Sequence, residues 1–417
     1  MSTVGKLLPV TSRRLVQAAG AHNVSASEKP AEKPDAAAPD PFKSFYYKDL
    51  ITTPAMGDQR KPVPKTGAPL KFGHTYADHM VDVDWTDKTG WGKPHLKPLV
   101  PFKLHPGAKV LHYAIEIFEG MKAYRGVDNK IRLFRPEENM KRMKSSAKRS
   151  ALPDFDADEC VKIITDQVLL DMDWVPASST SSLYIRPTLI GTDPTLGVGE
   201  AHMAKFFVIS GPVGAYYETG FQPVSLLADS KYCRAYSGGV GQYKMGCNYA
   251  PTIWVNNIAA KKGCQQVLWL HGKEEQLTEV GTMNIFVYWI NKDGEKELCT
   301  PPLSSGLILP GVTRNCIIDL AEQWGEFKVT ERTVTMNDVR KALKENRLLE
   351  MFGAGTACVV SPVGKIVHEN PENGKTEELH IPTMESKDNL MQRFYNTLTD
   401  IQYGRSGDMP QWTKIIN

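Results

Sequence analysis

The chain has 417 residues, 41% hydrophobic and 23% charged, and its 50 basic and 47 acidic side chains give a formal net charge of +3. That length suits two domains, and the balance is ordinary for a globular protein. With neither basic blocks nor a basic face there is no reason to expect nucleic acid as a partner. No uninterrupted apolar run reaches the roughly 18–20 residues of a membrane span, so no membrane partner is expected either.

The first 27 residues stand apart. Lys6, Arg13 and Arg14 are interleaved with Leu7, Leu8, Val10, Leu15 and Val16, and no acidic residue precedes Glu28. This acid-poor, Arg-bearing, amphipathic pattern is that of a mitochondrial transit peptide, so the matrix is the expected location, with the cytoplasm as the alternative. Glu28–Pro41, rich in Ala, Pro, Lys and Asp, suits a disordered linker. Residues 1–41 are thus set aside, and the folded part is expected to begin near Phe42.

Further along, Leu111 to Phe134 reads as strands with tight turns. Met121–Tyr124 and Ile131–Phe134 flank Gly126-Val127-Asp128-Asn129 as a hairpin. Asp156–Met172 reads as a helix with Cys160, Val161, Ile164 and Val168 on one stripe. Phe206–Ser210, Val224–Ala228, Val267–Leu270 and Ile285–Ile290 are β-rich, the last followed by the turn signal Asp293-Gly294. A helix from about Thr313 carries Ile317, Leu320, Ala321 and Trp324 on one face and should stop at Gly325. Thr335 and Asp338 form a capping box ahead of Val339–Leu343. Mixed strands and helices give an α+β (mixed α/β) class. Gly211–Phe221, with Pro212, Gly214 and Gly220, is the best connection between two domains, dividing the chain into residues 42–216 and 217–417.

Seven scattered cysteines (Cys160, Cys233, Cys247, Cys264, Cys299, Cys316, Cys358) contain no CxxC pair, and the ten histidines no HxxxH or HExxH spacing. This argues against a disulfide scaffold, fits a reducing compartment and gives no metal site.

The densest chemical signal is Ser237-Gly-Gly-Val-Gly-Gln-Tyr-Lys244-Met-Gly-Cys-Asn-Tyr249. Glycines permit close backbone approach to a ligand, and a lysine among them can meet an aldehyde as a neutral amine. The phosphate-loop pattern GxxxxGK[ST] is not matched, because Tyr243 precedes the lysine and Met245 follows it. The dinucleotide fingerprint GxGxxG also fails, since Lys244 stands at its third glycine. From spacing alone, a Schiff-base lysine and a structural loop both stay open.

The stretch Gly238–Tyr249 resembles the cofactor-lysine signature of the branched-chain amino acid aminotransferases. So do Gln265–Leu270 leading to Leu277–Phe286, and Leu309-Pro-Gly-Val-Thr-Arg314. Phe118-Glu-Gly-Met-Lys122, Leu183-Tyr-Ile-Arg-Pro187 and Phe352–Cys358 match too, and the resemblance runs from about Phe72 to Gly404. It implies a two-domain fold-type IV pyridoxal-phosphate enzyme, a smaller N-terminal α/β domain and a larger C-terminal one with the cofactor between them, usually a homodimer. The implied reaction moves the amino group of L-leucine, L-isoleucine or L-valine to 2-oxoglutarate, giving the branched 2-oxo acid and L-glutamate.

By the same resemblance Lys244 carries pyridoxal 5'-phosphate as a Schiff base and moves the proton, and Glu279 pairs with the pyridine nitrogen. Val312, Thr313, Thr356 and Arg142 hold the phosphate, the first two where helix N–H groups face an anion. Tyr249 and Arg234 brace the ring and its hydroxyl. Phe72, Tyr113, Phe118, Tyr184 and Tyr216 surround the substrate with Arg186 as a polar partner, and Thr356-Ala357 offers N–H groups to the α-carboxylate. Other fold-type IV enzymes (a D-amino acid transaminase or an aminodeoxychorismate lyase) are the first alternative; a cofactor-binding regulatory protein without catalysis is the second. Some animal members carry a redox-active CxxC where this chain has Cys358-Val-Val-Ser361, so no disulfide switch is expected there.

Overall fold

The computed structural model describes residues 40–214, 221–370, 373–386 and 389–417. The transit-like segment, nearly all of the expected linker and Tyr216 lie outside the described residues.

Among these, two sheets organise the chain. The first has ten strands, in the order Ile51–Thr52, His95–Pro98, His79–Thr86, Met203–Val213, Ser182–Gly191, Met121–Arg125, Ile131–Phe134 and Thr413–Ile415, with Gly90–Trp91 and Glu116–Phe118 paired at its sides. Burial alternates along Met203–Val213, as a half-covered strand requires. Its buried Phe206 and Val208 share a core with Ile163, Ile164 and Val168 of the Ala157–Leu170 helix and Met140 and Met143 of the Pro136–Arg149 helix. Asp156 caps the former by accepting from the Asp158 and Glu159 N–H groups.

The second sheet has nine strands, and six of them close into a ring. Gln276–Val280, Gln266–His271, Val224–Asp229, Val359–Glu369, Leu348–Gly355 and Met283–Ile290 pair in turn, and the last pairs back with the first. Closure removes the open edges that strands otherwise leave. Val224–Asp229 runs parallel to both of its neighbours. A parallel pair needs a crossover, and here the Ala250–Lys261 helix supplies it. Lys244 lies in that crossover, just ahead of the helix.

The hairpin of Met121–Arg125 with Ile131–Phe134 forms as expected. So do the Thr335–Asp338 capping box and the left-handed stop at Gly325, whose φ is 63°. Three details differ. Lys109–Tyr113 is a turn of helix ended by Ala114 at φ 49° rather than a strand. The Asp293-Gly294 turn belongs to a longer loop, because Asn291 Oδ1 accepts from the N–H groups of Asp293 and Glu295 and ends the pairing early. Gly211-Pro212-Val213, read as part of the connection, completes the Met203–Val213 strand; a Cβ at Gly211 would lie 2.0 Å from Thr75 O.

Candidate active site

A cavity of about 350 Å³ lies between elements of both sheets. Eleven of the sequence-predicted site residues line it: Lys244, Tyr249, Arg142, Val312, Thr313, Thr356, Ala357, Phe72, Phe118, Tyr184 and Arg186. Contributions come from residue 72 through to residue 358, so the cavity is a product of tertiary packing. Its size suits a small-molecule ligand.

Lys244 is held from behind. Its N–H donates to Ser146 Oγ at 3.0 Å, its carbonyl accepts from the Phe118 N–H at 3.1 Å, and Met245 bridges to Ile117. The neighbouring glycines allow this approach, since a Cβ at Gly246 would lie 1.7 Å from Glu116 Oε1. Nζ is left projecting over the Phe118 ring, 4.9 Å from its centroid, and donates to the Tyr249 hydroxyl at 3.1 Å.

One wall is built for an anion. The Val312–Trp324 helix starts at Gly311 with no side-chain cap, so its first N–H groups and positive dipole end face the cavity. Gly311 must be small, because a Cβ there would meet Asn284 Oδ1 at 2.0 Å, while Asn284 Nδ2 holds Leu309 O at 2.9 Å. Arg142 reaches the same wall and donates to Pro310 O at 2.9 Å. Its Nε and Nη2 donate to the two oxygens of Glu119 at 2.7 and 2.8 Å. Burial opposes the Glu119 charge, but Arg142 and Asn139 outweigh it and hold its carboxyl below the usual range.

Glu279 and Arg234 sit one layer behind the cavity wall. Glu279 is buried, and burial pushes its carboxyl up although Arg234 counteracts this. Its Oε1 accepts from the Leu309 N–H at 2.6 Å, and Oε2 lies 3.0 Å from Arg234 Nε. Arg234 is fixed by donating to Gly241 O and Leu307 O at 2.9 and 2.8 Å.

The opposite wall is aromatic. Phe72 packs edge-on against Tyr184, with centroids 4.9 Å apart, and Phe118 lies 4.9 Å from Tyr249. Arg186 is stacked between Phe118 and Tyr184 at 4.7 and 5.2 Å and donates to the Tyr184 hydroxyl at 3.1 Å. Its buried Nε has no hydrogen-bond partner among the described residues. A cation beside aromatic faces offers charge and apolar surface in one place.

Tyr113 is not in this wall. It is partly exposed on the Lys109–Tyr113 helix, and its hydroxyl donates to Leu196 O. Reasoning from sequence did not single out Thr282, Met283 and Asn284, which line the cavity, nor Glu119, which fixes Arg142. The motifs containing them, Leu277–Phe286 and Phe118–Lys122, were the available signal.

The donor set fits pyridoxal 5'-phosphate: an amine, an uncapped helix N-terminus beside a guanidinium for the phosphate, and a buried carboxylate behind Leu309. The chemistry this site defines is that of a cofactor-dependent aminotransferase, and the amino-transferase class IV family matches residues 116–366, more than half of the chain. This chain belongs to that family, whose cofactor is pyridoxal 5'-phosphate.

Within it, branched-chain-amino-acid aminotransferases are among the similar proteins. The cytosolic one of Caenorhabditis elegans is 64% identical over 366 residues, covering 88% of each chain. The mitochondrial one of Rattus norvegicus is 52% identical, covering 87% of this chain and 90% of that one. The crystal structure of the branched-chain amino acid aminotransferase of Thermobaculum terrenum in its pyridoxal-phosphate form has a TM-score of 0.60 at 20% identity. It covers 80% of this chain and 98% of that one, and carries the likeness at the level of fold.

Proposed function

We propose that this chain transfers the amino group of L-leucine, L-isoleucine or L-valine to 2-oxoglutarate, reversibly. The observation that carries this reading is one cavity holding Lys244, an uncapped helix N-terminus with Arg142, and an aromatic wall that contains a single guanidinium. Pyridoxal 5'-phosphate, when bound, supplies an aldehyde carbon and a ring that accepts the electron pair left when the substrate Cα loses its proton.

Every other task falls to side chains and backbone. Lys244 Nζ would hold the cofactor's aldehyde carbon, and as a free amine it would take the proton from the substrate Cα as the catalytic base. The Tyr249 hydroxyl, 3.1 Å from that nitrogen, orients it. Arg142, Thr356 and the N–H groups of Val312 and Thr313 hold the phosphate. Glu279 keeps a proton on the ring nitrogen through a lone pair that Leu309 and Arg234 leave available. Thr356 and Ala357 bind the α-carboxylate. Phe72, Phe118 and Tyr184 accept a branched aliphatic chain, and Arg186 answers the second carboxylate of 2-oxoglutarate.

Absorbance of the purified protein with added L-leucine, and no oxo acid, tests this. A visible band that gives way to one at shorter wavelength is expected, and Lys244→Ala should lack the starting band. A band indifferent to L-leucine but responsive to D-alanine would favour a D-amino acid transaminase and overturn the substrate assignment.

The active form is proposed to be a homodimer. Ile253 and Trp254 of the Ala250–Lys261 helix are 62% and 60% exposed, and Leu196 and Val198 beside Tyr113 are 67% and 85% exposed, an amount of bare apolar surface suited to an interface. Tyr113, outside its own chain's cavity, would then serve the cavity of the second copy. The division into domains near residue 216 is proposed on the same footing, as is mitochondrial import directed by residues 1–27. A reporter fused to residues 1–41 that stayed in the cytosol would refute the import.

A further inference from the structure

Lys122 ends the Phe118-Glu-Gly-Met-Lys122 motif, and nothing in the mechanism above uses it. Its side chain is buried, and no carboxylate pairs with it among the described residues. Burying an unpaired ammonium is costly unless something else is gained. Burial pushes it down to about 8 from an ordinary 10.5.

The hydrogen bond its ammonium makes is informative. Lys122 Nζ donates to Ala357 O at 2.8 Å. Residues 356–358 form the three-residue turn between the Leu348–Gly355 and Val359–Glu369 strands. Ala357 and Cys358 face the active-site cavity on one side and a smaller cavity of about 90 Å³, with Lys122 in its wall, on the other. The turn is therefore a partition one residue thick. It closes with Val359 at φ 64°, a left-handed conformation that a β-branched residue adopts only when its surroundings impose it.

In a trans peptide the N–H points opposite to the C=O. With the Ala357 carbonyl held on the Lys122 side, the Cys358 N–H is turned toward the active-site cavity, next to the Thr356-Ala357 backbone. Without that hold, the carbonyl dipole would be free to face an incoming carboxylate and repel it.

We infer that Lys122 is a positioning residue: by holding the Ala357 carbonyl it fixes the 357–358 peptide with that carbonyl turned away from the active-site cavity and the Cys358 N–H toward it, and so sets the affinity for the substrate's α-carboxylate at the adjoining Thr356-Ala357 backbone. The inference rests on the reading of Thr356-Ala357 as the carboxylate site. The groups around Lys122 leave it as the charged one. Tyr124, Tyr395, Tyr403 and Cys358 border the same cavity, burial pushes all four up, Cys358 to about 12, and Tyr184 pairs beside Lys122 across the sheet. A cation with a lowered pKa is charged below that value and neutral above it, so carboxylate affinity should fall as pH rises through about 8.

The test measures binding of 4-methylvalerate, a branched carboxylate with no amine of its own to titrate, to holoenzyme through the cofactor absorbance. Binding to the unchanged protein should weaken from about pH 7 to about pH 9. Lys122→Met should bind on the order of tenfold more weakly at the lower pH, as expected for loss of a charged hydrogen bond, and show little further change at the higher. In turnover, its KM for both substrates should rise more than its kcat falls. A Lys122→Met holoenzyme with the affinity and pH dependence of the unchanged protein would overturn the inference. Should that variant not fold, the unchanged protein decides, and affinity flat across this range overturns it equally. If the unchanged protein binds 4-methylvalerate at no pH, the carboxylate site itself falls and the inference with it.

Discussion

Glu119 is completely buried and spends both oxygens on Arg142, a guanidinium that also grips Pro310 O. Removing one partner of such a pair strands the other charge, at a typical cost of about 3 kcal/mol or more. Glu119→Gln should therefore lower the unfolding midpoint of the cofactor-free protein. A phosphate dianion at the neighbouring helix N-terminus would restore a counter-charge, so inorganic phosphate should raise the midpoint more in Glu119→Gln than in the unchanged protein. Equal shifts would show that Arg142 does not face the phosphate. The pH sense follows from the carboxyl being held low in the fold: its stabilisation is complete above the ordinary glutamate value and is lost as pH falls through the lower, folded-state value.

At the level of elements, the Val312–Trp324 helix is placed by the close approach of Gly311 to Asn284. Its φ of −73° suits any residue, so the demand for glycine is steric. Gly311→Ala should push Asn284 aside, release Leu309 and tilt the helix N-terminus out of line. The expected result is cofactor affinity at least about tenfold weaker with a smaller change in unfolding midpoint, read by titrating pyridoxal phosphate into cofactor-free protein. Unaltered affinity would mean that this N-terminus is not the phosphate site. Gly325, the Thr335–Asp338 box and the 121–134 hairpin could be read from the sequence because their causes lie within a few residues. Glu119 and Lys122 could not be assigned, although their motif stood out. Lys122 meets Ala357 across 235 positions, and no local pattern encodes such a meeting. Tyr113 stood in none of the quoted motifs and was named through the resemblance alone; its direction depends on a one-turn helix that ends at a left-handed alanine, which the strand-like text around it concealed.

For the molecule as a whole, the Ala250–Lys261 helix buries Val255 and Ala259 yet exposes Ile253 and Trp254. Light scattering should give about twice the 46.4 kDa chain mass, and Trp254→Glu should shift the population toward that single mass. A monomer at working concentrations with full activity would refute the dimer.

The C-terminal strand Thr413–Ile415 lies against Ile131–Phe134, and the side chain of Asn417 accepts the Ile131 N–H at 2.6 Å. The first sheet is thus completed by residues made some 280 positions after the strand they cover. During synthesis, Ile131–Phe134 must wait as an open border for as long as the ribosome is still adding the ring of six strands. A nascent chain that stalls late in translation would carry a finished core and a bare strand together.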